Sequence, residues 1–180
     1  MAARTSDQFN AAVEQCKDIF LKKMQDYGSS WRVLRVPSIT DQIFIKAQRI
    51  RSIEEKGVQK VDEGIKPEYI GIVNYSVIAL VQLELGSDPE AQTEPAEIKK
   101  LYQKHIDEAK SLMEAKNFDY DEAWRQMRIN SFTDLILMKL LRVKQIEDNK
   151  GQTLISEGIE ANFYDIINYA IFALIKIDEQ

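Results

Sequence analysis

The sequence predicts an all-α protein built as a tandem duplication of a three-helix unit that forms one pseudo-twofold bundle. Three observations carry that expectation. Seven glycines and four prolines in 180 residues are too few for a turn-rich β protein. Apolar residues recur at steps of three and four, the period of a helix with one buried face. The chain also repeats itself. Held at an offset of 93, positions 26–54 agree with 119–147 at 13 of 29 places. Unrelated sequence would agree at about two, so the match marks a duplication.

The first helix is expected over about Ser6–Gln25, with Phe9, Val13, Cys16, Phe20 and Met24 on its inner face. Gly28 is its stop, since glycine enters the left-handed conformation cheaply. A loop follows to Pro37, and Ser38 or Thr40 is placed to cap a second helix that ends at Lys56, before Gly57. Pro67 suits the first turn of a third helix ending near Leu85, before Gly86. Ile70–Leu83 is apolar on nearly all sides, so this helix should be central. The second unit repeats the plan over about Ile98–Asn117, Phe132–Asn149 and Glu160–Asp178. One inserted residue near Lys150 shifts the offset to 94, where Glu63-Gly64-Ile65 meets Glu157-Gly158-Ile159 and Asn74-Tyr75 meets Asn168-Tyr169. Repeat 1 thus covers about 9–85 and repeat 2 about 98–178, with linker 86–97 rich in Gly, Ser, Asp and Pro. Units this small bury little surface alone, so residues 1–180 are expected to fold as a single compact domain.

The net charge of −5 disfavours a general nucleic-acid binder, which needs a positive face for phosphates. No apolar run approaches the roughly 20 residues that cross a bilayer. Met1–Phe20 has no signal-peptide core, and the lone Cys16 supports neither an intrachain disulfide nor a cysteine zinc site. A cytoplasmic protein is expected. Gly-rich phosphate loops, HExxH and nucleophile elbows are absent from the sequence.

The duplication filters the polar residues, because those retained in both copies share a physical task. His105 faces Ala12 and Cys16 faces Ala109, so neither passes. Lys46 and Lys139 pass, and both fall inside the apolar stripe of the second helix at about 100° per residue. Arg49 and Arg142 lie on the stripe's edge. A lysine aimed inward asks for an acid or a ligand anion, or snorkels out along its stem. Asn74 and Asn168 interrupt the apolar third helix, either to fix a helix contact or to meet a base or sugar. Glu63 and Glu157 precede that helix and are expected to pair with the lysines or ligate a metal. Asp165 faces inward, but its counterpart is Gly71, and Glu68 is matched by Asn162. The loop residues Asp26, Tyr27, Trp31 and Arg32, repeated as Asp119, Tyr120, Trp124 and Arg125, suit stacking on a base and holding phosphate, or a packed bundle end.

The string Lys22-Lys23-Met24-Gln25-Asp26-Tyr27-Gly28-Ser29-Ser30-Trp31-Arg32 resembles the nucleotide modification associated domain 1 family. So do Lys46-x-x-Arg49, Asp62-Glu63-Gly64-Ile65 and the Asn74-Tyr75 helix, and the resemblance covers nearly the whole chain, once per copy. More distantly the chain looks like the all-α NTP pyrophosphatases, the group of MazG and the dimeric dUTPases. That likeness implies a nucleotide or similar small anion as partner, with magnesium held by Glu63, Glu68, Glu157 and Asp165. Lys46 and Arg49 stand where those enzymes place their first acidic pair, which favours nucleotide binding over turnover. The alternative is a non-catalytic helical interaction module, a fused pseudo-dimer. Self-association into a homo-oligomer is compatible with either.

Overall fold

The computed structural model describes residues 2–58, 64–90 and 93–180. Among them are six α-helices and no strand: α1 (Ala2–Tyr27), α2 (Val36–Lys56), α3 (Ile65–Leu85), α4 (Pro95–Tyr120), α5 (Ile129–Asp148) and α6 (Ile159–Asp178). A single 3₁₀ turn joins the first two helices of each unit, at Ser30–Val33 and again at Ala123–Gln126. The three-helix unit and its repetition are thus both present.

The four helices α2, α3, α5 and α6 pack most extensively, and α1 and α4 lie across them. Within that set α3 meets α6, α2 meets α5, and each unit's second and third helices pack together. Lys66 at the start of α3 pairs with Asp178 at the end of α6 at 2.5 Å, so the central pair is antiparallel. The apolar run predicted a central α3, and Tyr69, Ile72, Val73 and Ala79 are completely buried, as are Phe163, Ile166, Ile167 and Leu174 on α6. Each of α1 and α4 touches both central helices, so each unit's core is completed by the other.

Helix ends differ from expectation where tertiary bonds decide them. α1 starts at Ala2 rather than Ser6, because Arg125 Nη2 donates to Thr5 Oγ1 and to Gln8 Oε1, each at 2.7 Å. Neither Ser38 nor Thr40 caps α2. The helix begins at Val36 with Pro37 in its first turn, and the Thr40 hydroxyl instead shares its one hydrogen between the Val36 carbonyl and Glu147 on α5. Gly28 and Gly57 end their helices at φ +65° and +69°, as predicted. In the second unit Asp121 and Glu122 take the left-handed conformation instead. No helix is long and apolar enough to cross a membrane among the described residues.

Candidate functional site

The duplicated lysine of the second helix leads to the most distinctive cleft. Its volume is about 620 Å³, within the range of small-molecule sites. It opens between α1, the first 3₁₀ turn, α2 and α3. Phe20, Met24, Trp31, Leu34, Ile70 and Ile78 give it an apolar interior, and Lys23, Lys46, Glu68 and Tyr75 add charge and a ring at its wall. Lys46 projects from α2 with its stem across Gly71 of α3. A Cβ at Gly71 would lie 2.9 Å from both Cδ and Cε of that lysine. Its ammonium meets Glu68 Oε2 at 3.5 Å and sits 5.6 Å from the centre of the Tyr75 ring. Arg49, one turn on, donates to the other oxygen of Glu68 at 3.1 Å. Lys23 reaches the cleft from α1 and forms no hydrogen bond or ion pair among the described residues.

The same place in the second unit is filled. Asp165 stands where Gly71 does, and its carboxylate takes Lys116 at 2.6 Å and Lys139 at 2.8 Å. Lys116 is the counterpart of Lys23, and Lys139 of Lys46. Burial alone would raise the Asp165 carboxyl, but the two ammoniums outweigh it and hold the acid below the usual carboxylate range. Phe172 replaces Ile78, and its ring stacks on Trp124 at 4.2 Å and 6° between planes. Trp124 is consequently 5% exposed, whereas Trp31 is half-buried at the cleft wall and tilted against Phe20 at 6.4 Å.

The paired asparagines hold helices in register. Asn74 Nδ2 donates to the Cys16 carbonyl at 3.0 Å, and Tyr102 Oη donates to Asn74 Oδ1 at 2.8 Å. Asn168 donates to the Ala109 carbonyl at 3.0 Å. Asn74 thus lines the cleft floor with both polar ends already engaged. The loop arginines also have internal duties. Arg32 is buried, donating to Gln82, to the Gly86 carbonyl at 2.6 Å and to Thr93 at 2.9 Å, which closes the end of α3. Arg125 stacks 4.5 Å from the Trp124 ring centre while binding α1. Both belong to the packed bundle end rather than to a phosphate seat.

Of the remaining expected residues, Tyr27 and Trp31 line the cleft, whereas Asp26, Asp119 and Tyr120 are exposed and outside it. Arg142 and Glu157 line a separate groove of about 720 Å³ with Lys139, beside the α5–α6 connection. Lys139 pairs with Asp165, not with the expected Glu157. Glu63 lies outside the described residues. Among those described, no three His, Cys, Asp or Glu side chains converge to hold a metal. Glu68 and Asp165 each carry two cations instead, a donor set that does not fit a magnesium–triphosphate centre. His105 sits apart from the cleft against Glu84 and Tyr164. Burial lowers its pKa, and the Glu84 carboxylate offsets only part of that. Cys16 is buried, and that burial pushes its thiol up to about 12, so it stays protonated.

Lys23 and Tyr75 were not singled out by sequence, although Lys23/Lys116 and Tyr75/Tyr169 are identical pairs. Their retention was the available signal. What sequence could not supply was that α1 and α3 bring them to one cleft wall.

Fold and site together define a duplicated helical protein with an open, partly cationic, aromatic-lined cleft in its first unit. The family model described as nucleotide modification associated domain 1 matches residues 23–83 and again residues 116–177. The chain belongs to that family and carries its domain twice. Comparison with curated proteins and with solved structures gave no match.

Proposed function

We propose that the chain binds a nucleotide in the cleft of its first unit. The phosphate end lies at Lys23 and Lys46, and the base lies on the apolar wall with Trp31. The observation that carries this reading is the arrangement around Lys46. A retained inward lysine meets Glu68 only at 3.5 Å and borders a cleft of about 620 Å³ lined by aromatic rings. Cation and ring on one wall match the two ends of a nucleotide. The family description points to the same class of partner. Binding is favoured over MazG-like pyrophosphate release, because among the described residues Glu68 is the carboxylate that lines the cleft, and Lys46 and Arg49 occupy it.

Calorimetric titration of the whole protein with nucleoside mono-, di- and triphosphates, with and without magnesium, tests the reading. Saturable binding by at least one class is expected. Lys46→Met should weaken it about tenfold or more while the protein stays folded, since Arg49 still neutralises Glu68. Absence of heat and of any thermal shift across the whole panel would leave the interaction-module alternative standing. Pyrophosphate release in the same samples would show turnover.

A further inference from the structure

The two units share the cleft lysines and differ in what lies between them. Lys23 and Lys46 recur as Lys116 and Lys139, and Tyr75 recurs as Tyr169. In the second unit Asp165 bridges the two lysines at 2.6 and 2.8 Å. In the first unit the corresponding Gly71 has no side chain, and the Lys46 stem lies across it. Seven residues further along the same helix, Phe172 stacks on Trp124, while in the first unit the corresponding Ile78 and Trp31 both line the cleft. The second unit therefore holds an anion and a flat ring on one helix face, about 10 Å apart along the axis. That is the order of separation between a base and its phosphates.

We infer that Asp165 and Phe172 are built-in substitutes for a ligand's anion and ring, so that the protein takes one nucleotide, seated between Lys23 and Lys46 and stacked on Trp31. The identity of the ligand rests on the proposed function. The position of the anion seat starts from the Asp165 geometry and does not depend on that reading. Three features converge on it. Lys23 has no partner of its own among the described residues. Lys46 has a longer contact to its acid than Lys139 has to Asp165, 3.5 against 2.8 Å. What lies over Gly71 is the movable end of a lysine rather than backbone, so an acid there is accommodated once that lysine shifts.

The whole protein and the variants Lys23→Met, Gly71→Asp and their combination test this. Each is melted without ligand, then titrated with nucleotides and with the matching uncharged nucleosides. The expected stoichiometry is one nucleotide per chain. Lys23→Met should weaken nucleotide binding about tenfold or more, leave nucleoside binding alone, and leave the melting temperature unchanged. Gly71→Asp should abolish nucleotide binding and raise the ligand-free melting temperature by a few degrees, a rise that Lys23→Met cancels. Two nucleotides per chain, or unchanged affinity in Lys23→Met, would overturn the inference. If the unmodified protein binds no nucleotide, the functional reading fails, yet melting still decides the seat. A rise in Gly71→Asp cancelled by Lys23→Met supports it, and a fall or no change refutes it.

Discussion

Asn74 and Asn168 occupy equivalent places but are satisfied unequally. Asn74 has a partner at each end of its amide, whereas Asn168 Oδ1 is buried with no partner among the described residues. The donor that serves Asn74 is the Tyr102 hydroxyl, and the residue equivalent to Tyr102 in the first unit is Phe9. Truncating Asn74 removes two bonds and strands a buried hydroxyl and a buried carbonyl. Asn74→Ala should therefore destabilise more than Asn168→Ala, by about 1 kcal/mol, read from urea midpoints. The retained asparagines were visible in sequence, and so was their structural option. The inequality was not, because a Tyr-to-Phe exchange between copies looks conservative until the missing hydroxyl is placed against a particular amide. Sequence leaves Arg32 between an anion site and a packed bundle end for a similar reason. An arginine beside a tryptophan has the composition of an anion site, and only the approach of Gln82 and the Gly86 carbonyl, some 50 residues on, shows that it is consumed.

At the level of elements, the α2–α5 contact explains much of what the duplication retained. Thr40 on α2 donates to Glu147 on α5 at 3.1 Å, and Thr133 on α5 bonds Glu54 on α2. Asp41 meets Lys144 at 3.3 Å, and Asp134 meets Arg51 at 3.5 Å. Each pair is the other's image at the 93-residue offset, the pattern of an isologous interface in which i contacts j and j contacts i. Thr40, Asp41 and Glu54 stand among the places where the two copies agree, but sequence does not show them as partners across helices, since pairing requires the antiparallel packing. Burial raises the carboxyls of Glu54 and Glu147, with their threonine bonds only partly opposing it. A carboxyl raised in the folded state favours folding below its unfolded pKa of about 4.3, and that contribution is lost as pH rises through the folded value. The double variant Glu54→Gln/Glu147→Gln should therefore gain stability over the parent at neutral pH, and the gain should fade as the solution is acidified. Melting curves across that range check the sign.

Asp165 has the opposite linkage. Its folded pKa is depressed, so its contribution is complete above about 3.9 and is lost as pH falls through the folded value. Asp165→Asn should flatten the acid side of the stability profile and lower the neutral plateau, because Lys139 is left half-buried without its acid.

For the molecule as a whole, α3 and α6 lie against each other and the outer helices straddle them, so the two units contribute to one continuous core. The two tryptophans fall one to each unit, which supplies separate reporters. With Trp31→Phe and Trp124→Phe prepared individually, the remaining fluorescence should lose native signal along with helical circular dichroism in each protein. Two separated transitions within either variant would show that the units melt independently. The all-α class and the duplication were legible because they rest on period and self-similarity, which need no tertiary knowledge. The open and closed states of the two clefts were not, although Gly71 opposite Asp165 was in view, because the meaning of that difference depends on where Lys23 and Lys116 arrive from another helix.

The chain segment between Leu85 and Pro95 has a genetic consequence. In a dimer of identical chains, any codon change at the cleft floor appears in both clefts at once, so recognition and rigidity must be settled by one compromise. Joining the copies covalently gives Gly71 and Asp165 separate codons. A glycine crossed by a lysine stem can then be kept in one copy, while its twin carries an acid that holds two lysines, so that the usual opposition between stability and function is divided between two addresses on one polypeptide.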